Sequence, residues 1–258
     1  MPKVYIPGET KEQRKLRKQK EKGVKSTAPL EKPIVAPRSI VTNTPVKNNI
    51  HQTLKTAPMQ TKKIAFVLGN GVSRASIDPI DLVAHGTIYG CNALYRTFAP
   101  DYLIAVDTKM IREITNNGYH LKYPVWTNPN KYTKDIAGLN LFNPNLGWSS
   151  GPTALNFASH NGSETIYILG FDYRGIGVKN ELVNNMYSGS ENYKQVNDRA
   201  TYYGNWQRQT SMVIKRNPRK RYIRVVETED YFVPDSLLGL ENLEHITITK
   251  FKKILKIS

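Results

Sequence analysis

Residues 62–73 read KKIAFVLGNGVS. Ile64 to Leu68 is an apolar run of strand length that stops abruptly at Gly69-Asn70-Gly71, with Ser73 just beyond. A run of this kind, bounded by glycines, reads as a buried strand emptying into a tight turn. In an open α/β sheet such a turn lies at the carboxyl end of its strand, where ligands bind. Glycine has no Cβ and accepts φ > 0, so backbone N–H groups there can approach a phosphate closely, and Asn70 and Ser73 would add side-chain hydrogen bonds. The same residues also suit an ordinary glycine turn with no ligand.

Outward from this turn, strand and helix patterns alternate. Asp78-Pro79 sets up a short helix through Ala84, with Asp78 as N-cap and the proline at the first helical position. Thr87–Cys91 (TIYGC) and Tyr102–Val106 (YLIAV) read as strands, Thr108–Asn116 as a helix, and Tyr123–Trp126 as a short strand. Residues 129–145 are poorly periodic and rich in Asn and Pro, which predicts a loop. Ser150–His160 has a capping residue, a proline and then Ala154, Leu155 and Ala158 at helical spacing. Glu164–Phe171 (ETIYILGF) is the strongest strand pattern in the chain. Residues 171–200 read as a long loop, 201–216 as a helix with Trp206, Thr210 and Val213 on one face, and 222–226 and 245–249 as late strands. Strands separated by helices predict parallel βαβ units, hence an α/β fold with a doubly wound, mostly parallel sheet over residues 61–258.

Residues 1–60 differ in kind. They carry 13 Lys/Arg against 4 Asp/Glu, a net of +9, whereas the remainder carries 24 against 17, a net of +7. The first segment has several prolines, few aromatics and no sustained apolar period, so it cannot bury enough surface to offset its ordering entropy alone. It reads as a basic N-terminal arm and linker, densest at Lys11–Lys25. Such an arm is either a solvated tail or an anchor for a polyanion or an acidic protein partner. No aromatic interleaves the basic cluster, so contact with nucleic acid would be to phosphates. The single cysteine, Cys91, excludes an intrachain disulfide and fits a reducing compartment. No run of eighteen apolar residues occurs, so no membrane span is expected.

Four loops follow strands and would converge on one edge of a parallel sheet. They hold Gly69, Asn70, Gly71 and Ser73; Asn92; Asp107; and Asp172. Each has a plainer role available: Asn92 or Asp107 capping the helix that follows, Asp172 bonding within its own loop. Ser149-Ser150-Gly151, opening a helix, is a further anion site through its free N–H groups. Asp107 and Asp172 are the candidate catalytic carboxylates and the candidate magnesium ligands, since hard cations favour carboxylate oxygen. GxxxxGK[ST], GxGxxG and GxSxG are all absent, and the five histidines show no zinc spacing.

In order, GNGVS (69–73), DLVAHGTIYGCNALYRTFAPDYLIAVD (81–107) and SSGPTALNFASHNGSETIYILGFDYRG (149–175) resemble the 6-hydroxymethylpterin diphosphokinase-like (MptE-like) domain and the related bacterial sialyltransferase-like fold. The resemblance covers roughly residues 62–175. It implies a Rossmann-like domain with a nucleotide or pyrophosphate site at Gly69, Asn70, Gly71 and Ser73, with Asn92 nearby. Val72 stands where those proteins carry proline, which implies a looser turn. The only histidine after Asp172 is His245, in a strand-like apolar context, which counts against sialyl transfer. The implied function is a transferase that uses a nucleotide or nucleotide sugar, for glycosyl or diphospho transfer, with the loop 175–199 closing over the acceptor. The alternative is a non-catalytic module of a viral particle or nucleoprotein assembly built on the same fold. The Asn/Tyr-rich run 184–206 is similar to small phage or bacterial proteins, which would place the chain in a bacterial cytoplasm or a virion.

Deleting residues 1–60 is expected to leave the melting midpoint of the remainder nearly unchanged while abolishing attachment to a polyanion or assembly partner. A truncated protein that is molten by near-UV circular dichroism would show that the arm completes the core.

Overall fold

A computed structural model describes residues 63–257. The basic arm expected over residues 1–60 therefore lies outside the described residues, as does its dense stretch Lys11–Lys25.

Among the described residues, eight strands form one sheet: β1 (Ile64–Leu68), β2 (Thr87–Cys91), β3 (Tyr102–Ile104), β4 (Val125–Thr127), β5 (Leu139–Leu141), β6 (Thr165–Leu169), β7 (Arg221–Val226) and β8 (Leu243–Thr247). Their spatial order is β5-β4-β3-β2-β1-β6-β7-β8. Every neighbouring pair is parallel. The α-helices are α1 (Thr108–Asn116), α2 (Ser150–His160), α3 (Gly204–Arg216) and α4 (Ile248–Leu255). The architecture is α/β and Rossmann-like. From β1 the chain winds outward to β5, returns through α2 to β6 beside β1, and winds outward the other way. The reversal between β1 and β6 is the topological switch point, outside whose carboxyl ends such sheets open a crevice.

Side-chain alternation along the strands sets the two layers. Ala65 and Val67 of β1, Tyr89 and Cys91 of β2, and Ile166 and Ile168 of β6 share a cluster with Ala154, Leu155 and Ala158 of α2 and Val213 and Ile214 of α3. The intervening residues Phe66, Leu68, Ile88, Tyr167 and Leu169 pack with Phe251 and Leu255 of α4. Leu103 and Val125 continue the burial with Met110, Ile111 and Ile114 of α1.

Besides shifts of one to three residues at the ends of several elements, three places differ from the sequence reading. Residues 129–145 contain β5, whose three residues are all at least partly exposed, so an edge strand carries little apolar signal. The stretch 245–249 is divided: β8 ends at Thr247, whose side chain accepts from the Lys250 N–H and caps α4. A β-branched capping residue among isoleucines hides that transition from a pattern search. The Asp78-Pro79 start is correct, with Asp78 accepting from the Ile80 N–H, but the helix is a 3₁₀ turn over Pro79–Leu82.

Phe66 is fully buried, stacked on Tyr167 with centroids 5.5 Å apart and edge-on to Phe251 at 6.1 Å. Phe66→Ala is expected to lower the unfolding free energy by about 3–5 kcal/mol in urea titration, since it leaves a cavity between the sheet and α4.

Candidate functional site

The turns after β1 and β6 are bonded to each other. The Gly69 N–H donates to the Leu169 carbonyl at 2.8 Å and the Gly71 N–H to the Gly170 carbonyl at 3.0 Å. A Cβ on Gly69 would lie 2.6 Å from the Gly170 oxygen, and one on Gly170 (φ 68°) would lie 2.9 Å from the Gly69 oxygen. Neither distance is possible, so two glycines are required where the backbones meet.

Above this junction lies a cleft of about 230 Å³. Gly69, Asn70, Gly71, Asn92, Asp107, Ser150, Gly151 and Asp172 all line it. The parallel sheet thus brings eight of the nine expected site residues together. Ser73 alone faces elsewhere, into a neighbouring cleft of about 400 Å³ that shares Asp172 and Asn184 with the first.

The donors of the turn are distributed differently from a phosphate cradle. Besides Gly69 and Gly71, Val72 donates to Asn184 Oδ1 at 2.9 Å and Ser73 to Asp172 Oδ2 at 3.1 Å. Among the described residues, only the Asn70 N–H of this turn has no acceptor. The side chains are committed in part, Asn70 Oδ1 being buried without a partner. Asn70 Nδ2 donates to the Tyr193 hydroxyl at 3.1 Å, and the Ser73 hydroxyl donates to Asp172 Oδ1. The turn is therefore held by the protein itself and offers a ligand one N–H rather than a ring of them. Val72 does not loosen it, because its N–H, which proline lacks, is what anchors Asn184.

The first turn of α2 contributes two more donors. The helix begins after Ser149, whose carbonyl accepts from Thr153 and whose N–H is taken by Gln209 Oε1. Ser150 and Gly151 occupy the first two helical positions, where N–H groups have no partner within the helix, and Pro152 has none to offer. Ser150 is buried. Its hydroxyl donates to Asn92 Oδ1 at 2.8 Å and accepts from the Val106 N–H at 3.1 Å, tying the ends of β2 and β3 to α2. Asn92 makes this bond from a left-handed backbone, φ 52°.

The two carboxylates have different circumstances. Asp107 sits at the N-cap position of α1 in extended conformation, yet its side chain makes no capping bond, and it is exposed. Asp172 bonds the opposite turn through Ser73 and not its own loop. Among the described residues no group of three or more His, Cys, Asp or Glu side chains is placed to hold a metal ion. Cys91 also lines the cleft, but burial pushes its thiol up to about 12, as suits a core residue.

Several lining residues escaped the sequence reading: Tyr173, Asn184, Asn185, Tyr203 and Trp206. Tyr173 is buried with φ 58°, a conformation costly for a bulky residue. It is held by its hydroxyl on Thr210 Oγ1 at 2.9 Å and by the Arg224 guanidinium over its ring at 5.1 Å. The segment 184–193 already lies folded on the turn. Met186 donates to the Asn70 carbonyl at 2.8 Å, and Arg96 and Glu113 bond Ser190 and Asn192 respectively at 2.7 Å.

Comparison with protein-family models, with curated proteins and with solved structures returns no match to this chain.

Buried Arg224 satisfies itself on the carbonyls of Phe171, Phe232 and Asp172. His245 lies outside the cleft, on β8. Burial, aided by the Arg224 charge, pulls its pKa from 6.5 to about 4. Between those values the unfolded chain binds more protons than the native one, so native stability falls as pH drops from about 6.5 to about 4. His245→Gln is expected to flatten that limb of the melting-midpoint profile. An unchanged profile would show that other groups carry the acid loss.

Proposed function

We propose that this cleft binds a nucleotide or nucleotide sugar through its phosphates and that the protein is a transferase of the glycosyl or diphospho type. One observation carries the reading: the Ser150 and Gly151 N–H groups, the free Asn70 N–H and the uncapping carboxylate of Asp107 all border one cleft at the switch point, with Tyr203 and Trp206 on its wall. Helix N-terminal donors favour anions, and aromatic walls favour a base or a sugar face. The order of motifs similar to MptE-like and sialyltransferase-like proteins supports the same reading.

Asp107 is the carboxylate with freedom to act, as general base on an acceptor or as a ligand to magnesium. The fit for magnesium is of the kind in which one or two carboxylates share the ion with substrate phosphates and water. Magnesium bound there would neutralise charge on the phosphates; Asp107 would hold it, while Asp172 keeps Ser73 in place.

The commitment of Asp172 to Ser73 favours a second reading, a binding module without turnover in a larger assembly. The two readings part at Asp107, which a transferase needs for the reaction and a binding module does not.

A thermal-shift panel of nucleotides and nucleotide sugars, with and without magnesium, tests the proposal. A ligand at about a hundred times its Kd is expected to stabilise the protein by about 2.7 kcal/mol. Asp107→Asn is expected to retain binding without magnesium and to lose the magnesium-dependent increment. No shift with any member of the panel would overturn the nucleotide reading.

A further inference from the structure

Arg74 follows the glycine turn and is 3% exposed. Its Nε donates to the Gly69 carbonyl, and one terminal guanidinium nitrogen, Nη2, has no hydrogen-bond partner. Among the described residues no carboxylate lies within ion-pair distance of it. Burying a charge without a counter-ion is costly. The contrast with Arg224 is direct, since each nitrogen of that guanidinium donates to a carbonyl. The fold does not need a cation at position 74: an amide could donate the same bond to Gly69.

The bond leads to the cleft through a single peptide unit. The Gly69 carbonyl and the Asn70 N–H belong to the same planar trans group, so they point in opposite directions. Arg74 holds the carbonyl on its side, away from the cleft lining, of which it is not a part. The N–H is thereby turned the other way, and it is the one donor of the turn without an acceptor. A charged donor on the carbonyl also polarises the unit and strengthens that N–H. The guanidinium is near enough to act electrostatically on the Cys91 thiol, which lines the cleft.

We propose that Arg74 is a positioning residue that selects anionic ligands: it orients and polarises the Gly69–Asn70 peptide, and its buried charge is balanced by a bound phosphate or pyrophosphate group. This rests on the phosphate reading of the cleft. The unpaired charge lowers the stability of the empty protein, and the anion restores it.

The test compares full-length wild type with Arg74→Met, Arg74→Gln and Arg74→Lys. Calorimetry measures binding of inorganic pyrophosphate, and of nucleoside diphosphates of all four bases against their parent nucleosides. Arg74→Met is expected to melt no lower than wild type when empty. It should bind pyrophosphate and diphosphates about tenfold or more weakly, with nucleoside affinity unchanged and a shallower salt dependence. Arg74→Lys should bind pyrophosphate at least about tenfold tighter than Arg74→Gln, because both can donate a bond but only one carries charge. That Lys-to-Gln ratio decides the matter if the Met variant does not fold. Equal pyrophosphate affinity in Lys and Gln variants that fold, or a Met variant that binds like wild type, would overturn the role of Arg74 while leaving the cleft reading intact. A wild type that binds neither pyrophosphate nor any diphosphate would overturn the cleft reading, and this inference with it.

Discussion

The backbone contact between the turns after β1 and β6 is the constraint on which the site depends. Two hydrogen bonds join Gly69 to Leu169 and Gly71 to Gly170, and the carbonyls of Gly69 and Gly170 lie where side chains would otherwise be. This junction fixes the spacing of the two central strands at their carboxyl ends. It sets the floor of the cleft, presents the Asn70 N–H, and brings Asp172 onto Ser73. A Cβ on Gly71 would meet Asp172 Oδ2 at 2.5 Å, so the carboxylate also seals the turn sterically.

The alternation of apolar runs with helical segments was readable because each central strand is buried on both faces, as Ala65–Leu68 and Ile166–Leu169 show. The edge of the sheet was not: Leu139–Leu141 has no fully buried residue. The candidate site was legible where a polar residue closes an apolar run, as at Asn92 directly after β2 and at Asp107 just beyond β3. The aromatic wall was invisible, because Tyr203 and Trp206 reach the cleft from the start of α3, brought there by tertiary packing with no local pattern to announce it. Nor could the sequence show that Ser73 would turn away. Its direction is decided by Asp172, a residue 99 positions distant.

Two buried arginines near the sheet edge illustrate how burial and function part company. Arg224 spans three carbonyls and a tyrosine ring, and it braces the left-handed Tyr173 and the segment around Phe232. Its charge is spread over polar partners, and its role is complete within the fold. Arg74 has one bond and a bare nitrogen beside the central turn. The same side chain in the same apolar surroundings is finished in one case and unfinished in the other.

Glu113 receives four donors: Arg96 through two nitrogens, the Tyr95 hydroxyl and Asn192 Nδ2. Burial works against its charge, but these bonds outweigh it and hold its pKa below the usual carboxylate range. Asn192 belongs to the segment whose earlier residues, Asn184 and Asn185, line the cleft. Glu113 on α1 thus moors this segment from outside the cleft lining. Breaking those bonds would release a stretch that supplies part of that lining, so the shape of the cleft is held in part by a carboxylate that does not border it.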